Sequence, residues 1–334
     1  MNKLLVENFI LDCGKVLPQA EFAYQTYGKL NADKSNVVLI FHALTGNCDP
    51  ADWWNEIIGE GKIIDPKKHF ILCTNFLGSC YGSTGPESID PETDKPYHKT
   101  FPVITTGDIA RQQLAILESL GIKEVSLGIG GSMGGMILLE LAALKPGLFE
   151  KIVPISVAAS HSAWRLAFSS VIRKTIETFG REFGEDGYKK GMHLARQIAM
   201  TSYRSSTEFD GRFGRDTNNN AFEIENYLEH QGEKIVSRFS PYSYITLTRA
   251  MELYDISGII QNITSEILFI GATSDILYSE EEIKEIATRI PNATYRFLDA
   301  PFGHDSFLVA QEKLAKLIRP FITASIKQKQ EIFA

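Results

Sequence analysis

Val125-Ser126-Leu127-Gly128-Ile129-Gly130-Gly131-Ser132-Met133-Gly134-Gly135-Met136 is the stretch on which the reading of this chain turns. Its first five residues form a short apolar run, the pattern of a strand buried on both faces. Its second half holds Gly130, Ser132 and Gly134 at G-x-S-x-G spacing and opens a helical pattern, Met133 to Leu144. A serine on such a strand-to-helix turn is a nucleophile elbow. Glycines permit the sharp bend, and the serine backbone is held in a strained conformation. Its hydroxyl then stands at a helix N-terminus, where N–H groups and the helix dipole favour developing negative charge. The motif alone is weak, since a chain with 26 glycines produces it by chance about one time in seven at average composition. Its setting gives it weight.

Outward from this turn, further apolar or β-branched runs predict strands at Glu21 to Tyr27, Val37 to Phe41, Phe70 to Cys73, Lys151 to Val157, Ile267 to Gly271 and Tyr295 to Leu298. Helical patterns lie between them: Ile109 to Leu120, Glu280 to Arg289, and Ser306 to Phe321. Strands alternating with helices imply a mostly parallel sheet with helices on both faces. From His161 to Ile256 the alternation stops, and only helical periodicity and polar loops remain. The expected organisation is a discontinuous core, 1–158 and 258–334, carrying an inserted helical lid at 159–257.

A serine hydroxyl needs a base to take its proton, and the base needs an acid to orient it. Behind an elbow of this kind the chain order is Ser, then Asp or Glu, then His. Asp275 follows the run Ile267 to Gly271, and His304 follows the next strand, in Gly303-His304-Asp305-Ser306. Loops at the C-terminal ends of strands are where ligand chemistry gathers in open α/β sheets. Asp299 is the second choice of acid. His42 and His161 are the other histidines in suggestive settings. The oxyanion hole is expected from the backbone N–H groups of Met133 and of Leu44, in the loop His42-Ala43-Leu44-Thr45-Gly46, where His42 shapes the turn. Order and placement together predict the α/β-hydrolase fold.

Bulk properties narrow the remaining classes. The chain has 334 residues, 44% hydrophobic and 22% charged, enough for one large core with an insertion. A formal net charge of −7 and the lack of a Lys/Arg block argue against nucleic-acid binding. No apolar run reaches the roughly 18 residues of a membrane span. A charge interrupts Met1 to Asn8 before any long apolar run, unlike a secretory signal. The four cysteines lack CxxC spacing, so neither a zinc or other metal site nor a disulfide framework is expected. The expected compartment is the cytoplasm.

Taken with the motifs above, Gly78-Ser79-Cys80-Tyr81-Gly82-Ser83-Thr84-Gly85-Pro86, Gly303-His304-Asp305-Ser306-Phe307-Leu308, Tyr203-Arg204-Ser205, Arg212-Phe213-Gly214-Arg215 and Leu247-Thr248-Arg249-Ala250-Met251 resemble the homoserine O-acetyltransferase family over nearly the whole chain. The resemblance implies a triad of Ser132, Asp275 and His304. It places Arg196 where the family binds the homoserine carboxylate, and Asp305 where it holds the amino group. An arginine fork suits a carboxylate, and a carboxylate suits an ammonium; a helix cap is the alternative role for Asp305. It implies acyl transfer from acetyl-CoA to L-homoserine through acyl-Ser132, in methionine biosynthesis, with no cofactor beyond the co-substrate. A homodimer formed through the lid is also implied. Ile137, Ser240-Pro241-Tyr242 and a shortened stretch between Ser162 and Arg196 depart from the common family pattern and leave succinyl as donor, or serine as acceptor, open. Carboxylester hydrolysis and non-catalytic binding are the competing classes; an amino-acid clamp at Arg196 and Asp305 separates the first, an intact triad the second.

Overall fold

Every side chain of Val37–Phe41 is buried, yet successive residues enter different cores. Val37, Leu39 and Phe41 join one apolar cluster, while Val38 and Ile40 join another. That period-2 division is what a central strand does when both faces of its sheet are covered. The computed structural model describes residues 1–218 and 220–323. Its main sheet has eight strands: β1 (Asn2–Ile10), β2 (Val16–Tyr27), β3 (Val37–Phe41), β4 (Phe70–Thr74), β5 (Val125–Gly131), β6 (Phe149–Ile155), β7 (Glu266–Ala272) and β8 (Ala293–Leu298). Their order is β1-β2-β4-β3-β5-β6-β7-β8. Strands β3 to β8 run parallel, and β2 is antiparallel to both of its neighbours.

Among the described residues the helices longer than one turn are α1 (Thr106–Ser119), α2 (Met133–Leu144), α3 (Ala163–Tyr203), α4 (Ser206–Phe213), α5 (Glu223–Val236), α6 (Pro241–Leu253), α7 (Glu280–Thr288) and α8 (Gln311–Thr323). Ile109 and Ile116 of α1 and Met136 and Leu139 of α2 pack on one face of the sheet. Leu314 and Ile318 of α8, with Trp54, cover the other. Thr105 and Asp108 form a capping box that satisfies first-turn N–H groups of α1. The core therefore lies in two layers of side chains on either side of one sheet.

Several features differ from the sequence reading, among them the start of β2 at Val16 rather than Glu21. Strand β1 was not foreseen: it is an edge hairpin partner of β2, with Leu5 and Ile10 more than half exposed, so burial imposes no clean alternation on it. The strand expected at Lys151 to Val157 is Phe149–Ile155. The helix expected from Ser306 to Phe321 is broken at Ala310 (φ −92°, ψ 46°), leaving a short turn of helix, Ser306–Val309, ahead of α8.

Between β6 and β7 the described residues form helices and one short ribbon, Thr217–Asn218 with Ala221–Phe222. Helix α3 is itself a hairpin of two arms meeting at Gly184, which sits at φ 67° and ψ −145°, outside helical space. The arms pack through glycine: a Cβ on Gly191 would stand 2.8 Å from the Ile176 Cα, and one on Gly187 would meet the Phe179 carbonyl at 2.1 Å. Backbones this close exclude a side chain at either glycine. The returning arm brings Arg196 and Tyr203 back over the C-terminal ends of the sheet strands, where Ser132 stands.

Candidate active site

Ser132 joins β5 to α2 at φ 56° and ψ −123°, a region that non-glycine residues occupy only under constraint. The constraint comes from its neighbours. Its N–H donates to the Ile155 carbonyl of β6 at 2.9 Å. A Cβ on Gly134 would lie 2.3 Å from the Phe41 carbonyl oxygen, and one on Gly130 would lie 2.8 Å from Gly134 itself. The turn thus closes against β3 only because both flanking positions lack side chains.

Two loops from other strands complete the arrangement. Ser132 Oγ and His304 Nε2 are 2.8 Å apart, and His304 Nδ1 and Asp275 Oδ2 are 2.8 Å apart. The other carboxylate oxygen of Asp275 accepts the N–H groups of Leu277 (2.8 Å) and Tyr278 (3.2 Å). All three side chains are buried. Burial works against a charged His304, but the Asp275 carboxylate, through its charge and hydrogen bond, and Asp305 outweigh it and raise the histidine pKa. An imidazole held between a carboxylate and a hydroxyl in this way can accept the serine proton and stabilise the resulting charge.

Asp299, the second choice of acid, is exposed, and its carbonyl binds Lys313; Asp275 is the residue on His304. His42 is buried and stacked on Phe76 at 3.7 Å, with Nδ1 2.8 Å from the Ala43 carbonyl. Burial pushes its pKa down to about 4, so it is neutral. His161 is likewise lowered to about 4 by burial and the Arg165 charge, and its Nε2 lies 3.4 Å from the Tyr278 hydroxyl. The alternative capping role of Asp305 is not realised: its side chain makes no cap hydrogen bond to the turn it precedes. The four thiols are free. Among the described residues no cluster of three His, Cys, Asp or Glu side chains could hold a metal, and no helix is long and apolar enough to cross a membrane.

Ser132, His304, Leu44 and Tyr203 line two cavities that meet at the serine. The inner one is narrow, about 60 Å³, and is walled by Phe168, Ile172, Tyr244, Thr248, Met251 and Tyr278. The outer one, about 420 Å³, contains Arg196, Lys234, Arg238 and Asp305. Among the described residues Arg196, Lys234 and Arg238 have no carboxylate partner; Arg196 lies over the Tyr203 ring at 5.5 Å. The N–H of Met133, the first residue of α2, is one of that helix's unsatisfied first-turn donors.

Sequence reasoning missed a set of arginines that bind the helical segment to the site's loops. Arg165 is buried; it donates to the Leu277 and Ser160 carbonyls and pairs with Glu282 at 2.8 Å, bracing the Asp275 loop. Arg204 contacts Asp305 at 3.2 Å, beside His304. Arg238 donates to the Thr45 carbonyl (2.7 Å), the Thr45 hydroxyl (3.1 Å) and the Tyr81 hydroxyl (2.9 Å), bracing the loop that holds Leu44. Apart from Ser160, each partner is distant in sequence, so no local pattern announces it.

Residues 36–311 match the family model described as the α/β hydrolase fold, and strand order, elbow and Ser–His–Asp chain define a protein of that class. A curated homoserine O-acetyltransferase of Chlorobium chlorochromatii is 40% identical over 333 residues, covering 95% of this chain and 93% of its own. The chain belongs to the homoserine O-acetyltransferase family. Among solved structures, the homoserine O-acetyltransferase of Staphylococcus aureus is similar with a TM-score of 0.83 at 26% identity, covering 99% of this chain and 97% of its own. Esterase E22 is similar with a TM-score of 0.87 at 25% identity, covering 96% and 99%.

Proposed function

We propose that this protein transfers the acetyl group of acetyl-CoA to the hydroxyl of L-homoserine by double displacement through Ser132. The observation that carries the reading is the junction at Ser132 Oγ: a hydrogen-bonded His304 and Asp275 behind it, and Arg196 with Asp305 in the adjoining cavity. Water as acceptor needs no such pair of opposite charges; a zwitterionic amino acid does.

In the first half, Ser132 Oγ attacks the thioester carbonyl while His304 Nε2 takes its proton. The N–H groups of Leu44 and Met133 receive the developing oxyanion. The C–S bond breaks, His304 returns the proton to sulfur, and CoA leaves as the free thiol. In the second half, Arg196 holds the homoserine carboxylate and Asp305 its ammonium. His304 takes the proton of the homoserine hydroxyl, whose oxygen attacks acyl-Ser132; the ester oxygen leaves and regains its proton. Residues 159–257 act as the lid that keeps water from this intermediate.

Acetyl is favoured over succinyl as the acyl group. The inner cavity is narrow, and its one lysine or arginine among the described residues, Arg165, is committed to Glu282 and two carbonyls. A succinyl carboxylate would find no free cation there. The reading extends to a cytoplasmic homodimer associated through the lid, which sedimentation checks directly, and to no cofactor besides the co-substrate.

The likeness to esterase E22 keeps ester hydrolysis as the second reading. Thiol release from acetyl-CoA and succinyl-CoA, each with L-homoserine, L-serine or no acceptor, separates the two. Release that depends on homoserine supports transfer; release indifferent to any acceptor rejects it. Turnover that persists in Ser132→Ala rejects the nucleophile.

A further inference from the structure

Asp305 lines the outer cavity, and Arg204 does not. The Arg204 Nε stands 3.2 Å from Asp305 Oδ2, an ionic contact without the alignment of a hydrogen bond. Among the described residues, Asp305 Oδ1 accepts no hydrogen bond. One oxygen is therefore held from behind while the other is left for a ligand.

The arginine is itself held. Its Nη1 lies 3.8 Å from Glu208 Oε1, and the Glu208 side chain is only 8% exposed. Glu208 Oε2 is buried without a partner. Glu208 Oε1 also accepts from Arg212 Nη1 at 3.5 Å. Arg204 thus sits between two largely buried carboxylates, and of the two only Asp305 has no second arginine among the described residues. An incoming ammonium would meet the Asp305 oxygen that Arg204 leaves open, as an incoming carboxylate would meet Arg196. Backbone packing fixes the spacing. Gly303, at φ 62°, has no room for a Cβ: it would meet the Tyr203 carbonyl oxygen at 2.6 Å, the Ser205 N at 2.8 Å and the Arg204 carbonyl carbon at 2.9 Å. The Ser205 hydroxyl also bonds the Pro301 carbonyl. The turn carrying His304 and Asp305 is pressed directly on the segment carrying Arg204.

We propose that Arg204 is a positioning residue for the acceptor: it anchors one oxygen of the Asp305 carboxylate so that the other meets the amino group of the amino-acid substrate. This rests on the acceptor reading given above. Arg204 never touches the substrate and acts only through Asp305. Without it, Asp305 would lose its one arginine contact among the described residues, while Glu208 would keep Arg212, and the Asp305 carboxylate would be free to swing away.

The experiment is a double-mutant cycle on the full chain, measuring thiol release from acetyl-CoA with and without L-homoserine. Arg204→Gln is expected to raise the homoserine KM roughly tenfold, a loss of the size one orienting ion pair gives. Acceptor-independent thiol release and kcat should stay within about threefold of wild type. Arg204→Lys, which keeps the charge, should recover part of the loss. In an Asp305→Asn background, Arg204→Gln should add nothing further, because the group it positions has lost its charge. Two results overturn the proposal: a full Arg204→Gln penalty persisting in Asp305→Asn, or equal loss of acceptor-independent and acceptor-dependent rates, which marks a merely structural arginine. Wild-type enzyme indifferent to homoserine would instead bring down the acceptor reading, and the role of Arg204 with it; that result appears in the unmutated control, not in the variants.

Discussion

The ring of Phe307 lies against the Cα of Gly131, so closely that a Cβ there would be 2.5 Å from Phe307 Cε2. The residue before Ser132 and the residue three places after His304 are thereby locked together. Both are buried, and Phe307 also stands edge-on to Trp54 at 6.5 Å.

Gly131→Ala should therefore overpack the site. A cost of about 1–3 kcal/mol is expected, read as a lower denaturant midpoint at unchanged slope. Transfer should fall as well, since displacing Phe307 moves the chain that carries His304. A variant as stable and as active as the parent would remove Phe307 from this role.

The raised pKa of His304 fixes the direction of the pH dependence. The base works only when neutral, so rate is lost as pH falls through its pKa. The acid limb of kcat/KM for acetyl-CoA should lie above the ordinary histidine value of about 6.5. Asp305 is among the causes of the rise, so Asp305→Asn should move the limb to lower pH. A limb that stays in place or moves up contradicts this electrostatic account.

Asp275→Asn should keep the fold, because an amide oxygen can still accept the Leu277 and Tyr278 N–H groups. The amide NH2 would then face His304 and favour the wrong tautomer. A fall in kcat of roughly 10³–10⁴ is expected, with a melting temperature close to that of the parent. Retained turnover would return the choice of acid to another residue.

Arg196→Gln should raise the KM for L-homoserine while thiol release from acetyl-CoA without acceptor continues. The guanidinium has no carboxylate partner of its own among the described residues, so little stability should be lost with it. An unchanged homoserine KM would exclude it from carboxylate binding.

Arg238 braces the Leu44 loop through Thr45. In Arg238→Gln that loop should loosen and misplace the oxyanion donor, slowing acceptor-independent thiol release about tenfold to a hundredfold, with the homoserine KM little changed. Stopped-flow thiol detection distinguishes this from a loss of acceptor binding.

Much of the parallel core is legible in the chain because central strands are buried on both faces and read as unbroken apolar runs. Val37 to Phe41 and Ile267 to Gly271 are such runs, and the structure places both in the sheet. Strand β1 escapes because an exposed edge hairpin imposes no such pattern, and its partner is chosen by the turn and the ladder. The break at Ala310 escapes because a helical repeat on either side of one irregular residue still looks continuous. Asp305 stands in the outer cavity, and the capping alternative fails because its side chain makes no cap bond.

The sequence by itself determined the elbow, the order Ser132, Asp275, His304, and the parallel sheet. These depend on local chemistry: which residues permit a sharp turn, and which runs must be buried. Only the tertiary structure decided what surrounds them. The hairpin at Gly184 brings Arg196 and Tyr203 back to the serine. Arg165, Arg204 and Arg238 each reach a different loop of the site. Those contacts join residues far apart in the chain, and a guanidinium is specific only for a partner that folding has placed within its reach.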